Sequence, residues 1–460
     1  MDSARTERPI TQHFHKDGRP LSLEKYQAVG GYQALRRAVR EMSRQDVTKA
    51  VLDSKLTGRG GAGFPAGRKW GFVDTTHEWA ESHFLVANAD EMEPGAFKDR
   101  VIMQGSPHQV LEGIAIAAYA VGAATAYVFL RAEYGATARI MRRAIADARR
   151  AGLLGPGVLG TDFDLDVHLH VSAGRYICGE ASAMLNAIEG ERAVPRHKPP
   201  HQTSSGLWSK PTVVNNVETL AYVPPVILEG PEWFVQLGAG GEGGMKIYTV
   251  SGRVKRPGAW ELPVGITIRE LIEEHAGGMR EGLGLRAVLP GGGSTRFVLE
   301  KDLDTPMDEA SLNKVGSRLG TGTIIVLDDQ TCPVGMLANL EHFYAQESCG
   351  WCTPCWQGLQ WVEQLLRSIE EGHGVTGDLD LLEWHAGLIR PGHTFCDLAP
   401  GAMEPLESGL KFFHDDFVQH IKDARCRWRP TSNRWGAASG GQGASARTEG
   451  AVGGRRAGGD

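Results

Sequence analysis

Early in the chain, Tyr32, Leu35, Val39, Val47 and Val51 recur at helical spacing, so the stretch 26–56 is expected to be helical with one buried face. Glycine then breaks the pattern. Gly58-Arg-Gly-Gly-Ala-Gly-Phe-Pro-Ala-Gly67 is no regular element, and it ends at Arg68-Lys69-Trp70. Beyond it, short apolar runs alternate with helical periodicity: strand 84–87, helix 107–121, strand 126–130, helix 136–150, strand 163–171, helix 181–189. Such alternation predicts a largely parallel sheet covered by helices. Val167, Leu169 and Val171 alternate with His168 and His170, which suits a strand open on one side, at an edge. The nearly continuous apolar stretch 110–130 is about long enough to cross a bilayer. It carries Glu112, however, and changes at Gly122 from helix-like to strand-like, so it reads as helix followed by buried strand.

After the glycine-rich break at 238–244 the pattern changes to strands 246–250 and 259–262, helix 268–275, and strands near 287 and at 323–327, the order of a small β-grasp module. From 335 onward helical spacing returns in Leu337, Leu340 and Phe343, in Leu359, Val362, Leu365, Leu366 and Ile369, and in Leu406, Leu410, Phe413 and Phe417. That is a helical bundle. The expected division is a helical segment with the glycine loop (1–75), an α/β nucleotide domain (76–240), the β-grasp domain (241–330), the bundle (331–429) and a Gly/Ala/Ser/Arg-rich tail (430–460) too poor in apolar residues to fold. Composition agrees with a multidomain globular chain: 460 residues, 41% apolar, 23% charged, net charge -6. A pI near 6.3 with no basic cluster argues against nucleic-acid binding. The polar N-terminus offers no secretory signal, so the chain is expected to stay inside the cell.

Seven cysteines make a disulfide framework an unattractive reading. Cys349-Gly-Trp-Cys352-Thr-Pro-Cys355 places three thiols two residues apart, a spacing that lets one loop hold three corners of an iron–sulfur cube. Cys396, in Pro-Gly-His-Thr-Phe-Cys-Asp within the same bundle, is the candidate fourth corner. Tetrahedral zinc is the competing reading, although zinc knuckles usually pair two Cys-x-x-Cys units. Cys178, Cys332 and Cys426 are expected to be buried free thiols.

Four loops carry the remaining chemistry. Gly58-Arg59-Gly60-Gly61-Ala-Gly63 matches G-x-G-x-x-G, but a Rossmann fingerprint follows a strand and opens a helix, whereas this loop follows helix and precedes Phe64-Pro65. Its glycines bring backbone N–H groups close to a phosphate or flavin, with Lys69 to neutralise charge, or they merely turn the chain. In Phe84-Leu-Val-Ala-Asn88-Ala-Asp90-Glu91-Met-Glu93-Pro-Gly, a buried strand ends in acceptors suited to ribityl, ring N–H and ribose hydroxyl donors. Gly174-Arg-Tyr176-Ile-Cys178-Gly179-Glu180 opens a helix whose N-terminus favours an anion. Lys210-Pro-Thr-Val-Val-Asn215-Asn216-Val-Glu-Thr219 offers amides and a hydroxyl for a phosphate or flavin edge, or else caps a turn.

Together with Glu347-Ser-Cys-Gly-Trp-Cys-Thr-Pro-Cys, and in this order, these segments resemble the flavoprotein (F) subunits of bacterial complex I, the NADH-quinone oxidoreductases, over roughly 26–424. The resemblance implies a Rossmann-like FMN-binding domain, a β-grasp domain of the SLBB type and a bundle carrying a [4Fe-4S] cluster. It implies FMN held by the loop from Arg59 through Gly60, Gly61 and Gly63, with Lys69, Asn88, Asp90, Glu91, Tyr176, Gly179, Glu180, Asn215, Asn216 and Thr219. NADH would stack above, with Phe64 and Phe72 at the adenine and Glu93 and Lys198 near the ribose hydroxyls. Hydride would pass to the flavin, and single electrons would enter a cluster at Cys349, Cys352, Cys355 and Cys396. No protein general acid or base is expected; Glu91 and Glu180 line the flavin site. The implied partners are a small thioredoxin-like [2Fe-2S] subunit and a large multi-cluster subunit. The implied place is the cytoplasmic face of the inner membrane, reached through the complex without direct insertion.

Three positions depart from the family pattern. Ala181 stands where Cys-Gly-Glu-Glu is usual, His201 where Lys-Pro-Pro-Phe is usual, and Trp356 where Arg often follows the third cysteine. Loss of the second carboxylate and gain of an imidazole near Lys198 predict that NADPH is accepted better than in typical members, with neutral drift as the alternative. Diaphorase subunits of NAD(P)-linked hydrogenases and formate dehydrogenases share these motifs, often with an added thioredoxin-like or ferredoxin-like domain. The start of this chain almost directly at the flavoprotein module favours complex I. A non-catalytic, cluster-bearing structural role is the reading from a different class.

Overall fold

The computed structural model describes residues 7–15, 17–73, 83–239 and 243–428; the expected tail lies outside them. The first sheet has four parallel strands, β1 (His83–Ala89), β2 (Ala123–Leu130), β3 (Asp166–Val171) and β4 (Thr212–Asn216), in the order β3-β2-β1-β4. β3 is an edge, as the alternation of Val167, Leu169 and Val171 with His168 and His170 suggested, although Val171 is itself exposed. β4 forms from Thr-Val-Val-Asn-Asn, which the sequence suggested as loop. Its three β-branched residues pair with β1, so Asn88 and Asn216 stand side by side at the strand ends.

The apolar stretch after residue 107 divides where expected. Helix Pro107–Val121 starts at proline, and Gly122, with φ of 70°, closes it in a left-handed conformation before β2 begins. Among the described residues no helix is long and apolar enough to cross a membrane. Glu112 lies fully inside the fold, where it accepts hydrogen bonds from the Tyr26 hydroxyl (2.5 Å) and the backbone N–H groups of Tyr32 (2.9 Å) and Leu35 (3.0 Å). Burial raises its carboxyl above the ordinary range. The N-terminal region is three short helices, Leu23–Ala28, Gln33–Glu41 and Arg44–Asp53, interrupted at Gly30-Gly31 and recapped by Ser43.

The second sheet contains β5 (Met245–Gly252), β6 (Gly258–Pro263), β7 (Leu285–Leu289), β8 (Val298–Leu299) and β9 (Thr323–Asp328), ordered β6-β5-β9-β7-β8. β5 and β9 run parallel in the centre and the hairpin partners antiparallel, with a helical segment 268–275 crossing the face. This is the expected β-grasp. Helices Pro333–Glu347, Thr353–Glu370, Gly377–Leu388, Leu398–Phe412 and His414–Asp423 form the bundle, on a core that includes Leu337, Leu359, Val362, Leu366 and Leu406.

Candidate active site

In the first sheet β2 and β3 lie to one side of β1 and β4 to the other, so the strand order reverses at β1/β4; there an open α/β sheet leaves a crevice at its carboxyl edge. A cavity of about 550 Å³ occupies this place. Its wall contains Gly60, Gly61 and Ala62 from the glycine loop and Asn88, Asp90, Glu91 and Glu93 from the end of β1. Tyr176, Gly179 and Glu180 come from the loop before helix Ala181–Ile188, and Lys198 and Asn216 complete that side. The β-grasp domain contributes Ser294, Arg318 and Thr321, and the bundle contributes Phe395, Cys396, Asp397 and Glu404.

Hydrogen bonds fix the loops to one another. Asn88 Nδ2 donates to the Gly179 carbonyl (3.0 Å) and its Oδ1 accepts from Asp90 N–H (3.0 Å). Asn216 Nδ2 donates to Asp99 (2.7 Å). Tyr176 donates its hydroxyl to Glu93 (2.6 Å), whose other oxygen accepts from Ser294 N–H (2.8 Å), joining the α/β and β-grasp parts across the cavity. Glu180 caps its helix at Ala183 N–H (2.8 Å) and accepts from Lys198 Nζ (3.1 Å). The glycines are needed for space: a Cβ on Gly60 would stand 3.2 Å from Asn216 Cβ, and Gly61 has φ of +119°.

Burial pushes the Asp90 carboxyl up to about 7, against the hydrogen bond from Ser172 (2.8 Å) and the charge of Arg131. Its second oxygen, Oδ2, is buried without a protein partner. Burial, helped by Asp99, likewise raises Glu91 to about 7, although Asp99 N–H (2.9 Å) and the Tyr134 hydroxyl (3.0 Å) donate to it. Lys98 lies beneath, bonded to Asp99 (2.6 Å), Glu218 (2.8 Å) and Asn216 (3.2 Å). Burial opposes its charge, but Asp99, Glu218 and Glu91 outweigh it and hold the ammonium protonated.

Not every predicted residue reaches the wall. Arg59 is buried and braces the loop: its guanidinium donates to Thr57 (2.5 Å) and to the Met245 carbonyl of β5 (3.0 Å), while its N–H donates to Thr219 Oγ1 (2.8 Å). Lys69 donates to the Val214 carbonyl (3.1 Å), and Asn215 accepts from Trp70 Nε1 (2.9 Å). These three, like Thr219 and Gly63, are not part of the cavity lining. Phe64 and Phe72 are exposed and face each other at 6.0 Å between ring centroids. Ala181 is the first residue of the helix that Glu180 caps; neither it nor the exposed His201 lines the cavity. Sequence reasoning missed Lys98, Asp99 and Arg318. The first two follow the acidic loop closely enough to have been noticed; Arg318 gives no local signal, since it arrives from a separate domain.

Cys349, Cys352, Cys355 and Cys396 draw together in the bundle, close enough for their charges to act on one another. Burial pushes Cys355 and Cys396 up to about 12, with neighbouring sulfurs adding to it for Cys355 and Glu180, then the sulfurs, for Cys396, so a set of four thiolates here requires a cationic centre. The set is four sulfurs, three of them from one Cys-x-x-Cys-x-x-Cys loop that can hold three corners of an iron–sulfur cube. The donor set therefore fits a cubane, and the cavity, with its glycine cradle and the orphaned Asp90 Oδ2, fits a flavin.

Comparison with known proteins gives three family matches: the Nuo51 FMN-binding domain over residues 51–225, the SLBB domain over 247–298, and the NADH-ubiquinone oxidoreductase-F iron-sulfur binding region over 335–420. The F subunit of the NADH-quinone oxidoreductase of Salmonella typhimurium is 47% identical over 414 residues, covering 90% of this chain and 93% of the relative. The NADH-quinone oxidoreductase F subunit numbered 2 of Rhizobium meliloti is 49% identical over 410 residues, covering 89% and 96%. Among solved structures, an NAD+-reducing [NiFe]-hydrogenase in its H2-reduced state superposes with a TM-score of 0.77 at 30% identity, covering 90% of this chain and 68% of that one. The chain belongs to the family of NADH-quinone oxidoreductase F subunits, whose FMN-binding domain and iron–sulfur region it carries.

Proposed function

We propose that this chain is the electron-entry subunit of an NADH:quinone oxidoreductase, oxidising NADH and passing electrons singly into its [4Fe-4S] centre. The observation that carries the reading is the position of Cys396: the cysteine that completes the cluster set also stands in the wall of the nucleotide cavity. FMN, when bound, supplies the exchange between a two-electron hydride donor and one-electron acceptors. The chain's own residues orient and enclose. Gly60, Gly61 and Gly179 admit a flat group close to the backbone, and Asn88, Asp90 and Asn216 present amide and carboxyl groups to it. Glu93 and Tyr176 fix the cavity's far side, Glu180 and Lys198 pair in its wall, and the exposed Phe64–Phe72 pair, outside that wall, is where the adenine would rest. No proton need be abstracted, so the raised Asp90 and Glu91 serve binding.

The wider assignment follows from family membership: a small thioredoxin-like [2Fe-2S] subunit and a large multi-cluster subunit as partners, and attachment to the cytoplasmic face of the inner membrane through them. Ala181, next in sequence to the wall residue Glu180, stands where the family pattern has a second carboxylate, and its loss favours acceptance of NADPH. Diaphorase assays of the FMN-loaded chain with both nucleotides test the activity and this preference together. We expect turnover with NADH, a measurable NADPH rate, and a roughly tenfold or larger gain in the NADH/NADPH ratio of kcat/KM in Ala181→Glu. No turnover with bound flavin would favour a structural relay; an unchanged ratio in Ala181→Glu would end the NADPH argument alone.

A further inference from the structure

A second group of metal-ligating side chains lies in the same bundle, built from residues that the sequence scatters. Cys332 precedes helix Pro333–Glu347, Glu370 ends helix Thr353–Glu370, His420 lies in helix His414–Asp423 and Cys426 follows it. Their ligand atoms all lie within 4.8 Å of one another. Cys332 Sγ is 3.3 Å from Glu370 Oε2 and 3.3 Å from His420 Nε2, and that nitrogen is 3.2 Å from the same carboxylate oxygen. The four residues are between 1% and 9% exposed, so solvent does not account for the convergence.

We propose that Cys332, Glu370, His420 and Cys426 bind one zinc ion, separate from the iron–sulfur cysteines, that ties three bundle helices and the segment after them together. Tetrahedral zinc with bonds of about 2.0–2.3 Å holds neighbouring ligand atoms roughly 3.3–3.8 Å apart, close to the spacings here. Two thiolates, an imidazole and a carboxylate suit zinc better than the all-oxygen shells of calcium or magnesium. The surroundings are also those of a ligand set. The backbone carbonyl of Asp416 lies 2.6 Å from His420 Nδ1; it accepts that N–H and leaves the Nε2 lone pair facing the other three groups. Gly335 N–H donates to Cys332 Sγ (3.2 Å) at a helix N-terminus, where a thiolate is favoured. Because these ligands come from elements far apart in sequence, the binding free energy would act as folding free energy of the bundle.

Metal analysis of the full-length chain purified from zinc-replete cells, with X-ray absorption at the zinc edge, is the test. We expect about one zinc per chain in addition to iron, with two sulfurs at about 2.3 Å and two nitrogen or oxygen neighbours at about 2.0–2.2 Å. His420→Ala and Cys426→Ser are expected to lose the zinc while iron and FMN content stay unchanged, with a lower melting temperature. A chain without zinc, a shell of four sulfurs, zinc retained in both variants, or a Cys332–Cys426 disulfide in non-reducing peptide maps would each overturn the proposal. Should the variants fail to fold, the absorption spectrum of the unaltered chain decides alone.

Discussion

Asp90 shows how one residue divides its service between fold and ligand. Burial holds its carboxyl near 7, well above an ordinary aspartate, and Oδ2 lacks a protein donor. In the ligand-free fold a raised carboxyl contributes stability that is complete below about pH 4 and lost as pH rises through about 7. A bound group that donates to Oδ2 favours the ionised form, so the dependence of binding has the opposite sign. FMN affinity is expected to be highest above pH 7 and to weaken as pH falls through it, by up to about tenfold per unit. Flavin fluorescence titrations between pH 5.5 and 8.5 measure this, and Asp90→Asn is expected to flatten the curve. An equally steep curve in Asp90→Asn would assign the titration elsewhere, for instance to Glu91.

Among the elements, helix Pro107–Val121 and helix Val217–Glu229 meet so closely that Gly113 has no room for a methyl group. A Cβ there would stand 1.9 Å from the Leu220 carbonyl oxygen, a backbone atom that cannot turn aside. Gly113→Ala is therefore expected to destabilise the α/β domain by about 1–3 kcal/mol, read as a lower denaturation midpoint. A midpoint at or above that of the unaltered chain would mean the two helices are not packed as described. These two helices also show what was legible beforehand. The first was plain in its apolar run and its terminal glycine, whereas the second contains Pro224 and Pro225, which interrupt the usual helical signal. β4 carries a loop signal because its polar end, Asn215-Asn216, outweighs three β-branched residues whose pairing with β1 is a tertiary fact. Local chemistry announced the acidic loop, the glycine loop and the triple cysteine. It was silent on Arg318, Lys98 with Glu218, and Cys332 with His420, because each of those meetings depends on how separate segments pack.

Across the protein as a whole, the three parts share one cavity: the α/β crevice forms its floor, the β-grasp domain closes one side through Ser294 and Arg318, and the bundle supplies Phe395 and Cys396. Arg318 is held to Glu404 of the bundle by bonds of 2.9 and 3.0 Å, so the closing residues are themselves fixed across domains. Through this shared wall, nucleotide oxidation is coupled to the cluster in the function proposed above. Anaerobic addition of NADH to the chain together with the [2Fe-2S] subunit proposed as its partner, following flavin absorbance and low-temperature EPR in one sample, puts that coupling to the test. Bleaching of the flavin accompanied by a reduced [4Fe-4S] signal, with that signal absent in Cys396→Ser, is the expected result. A flavin that bleaches while a dithionite-reducible cluster stays oxidised, or a cluster signal unaffected by Cys396→Ser, would refute it.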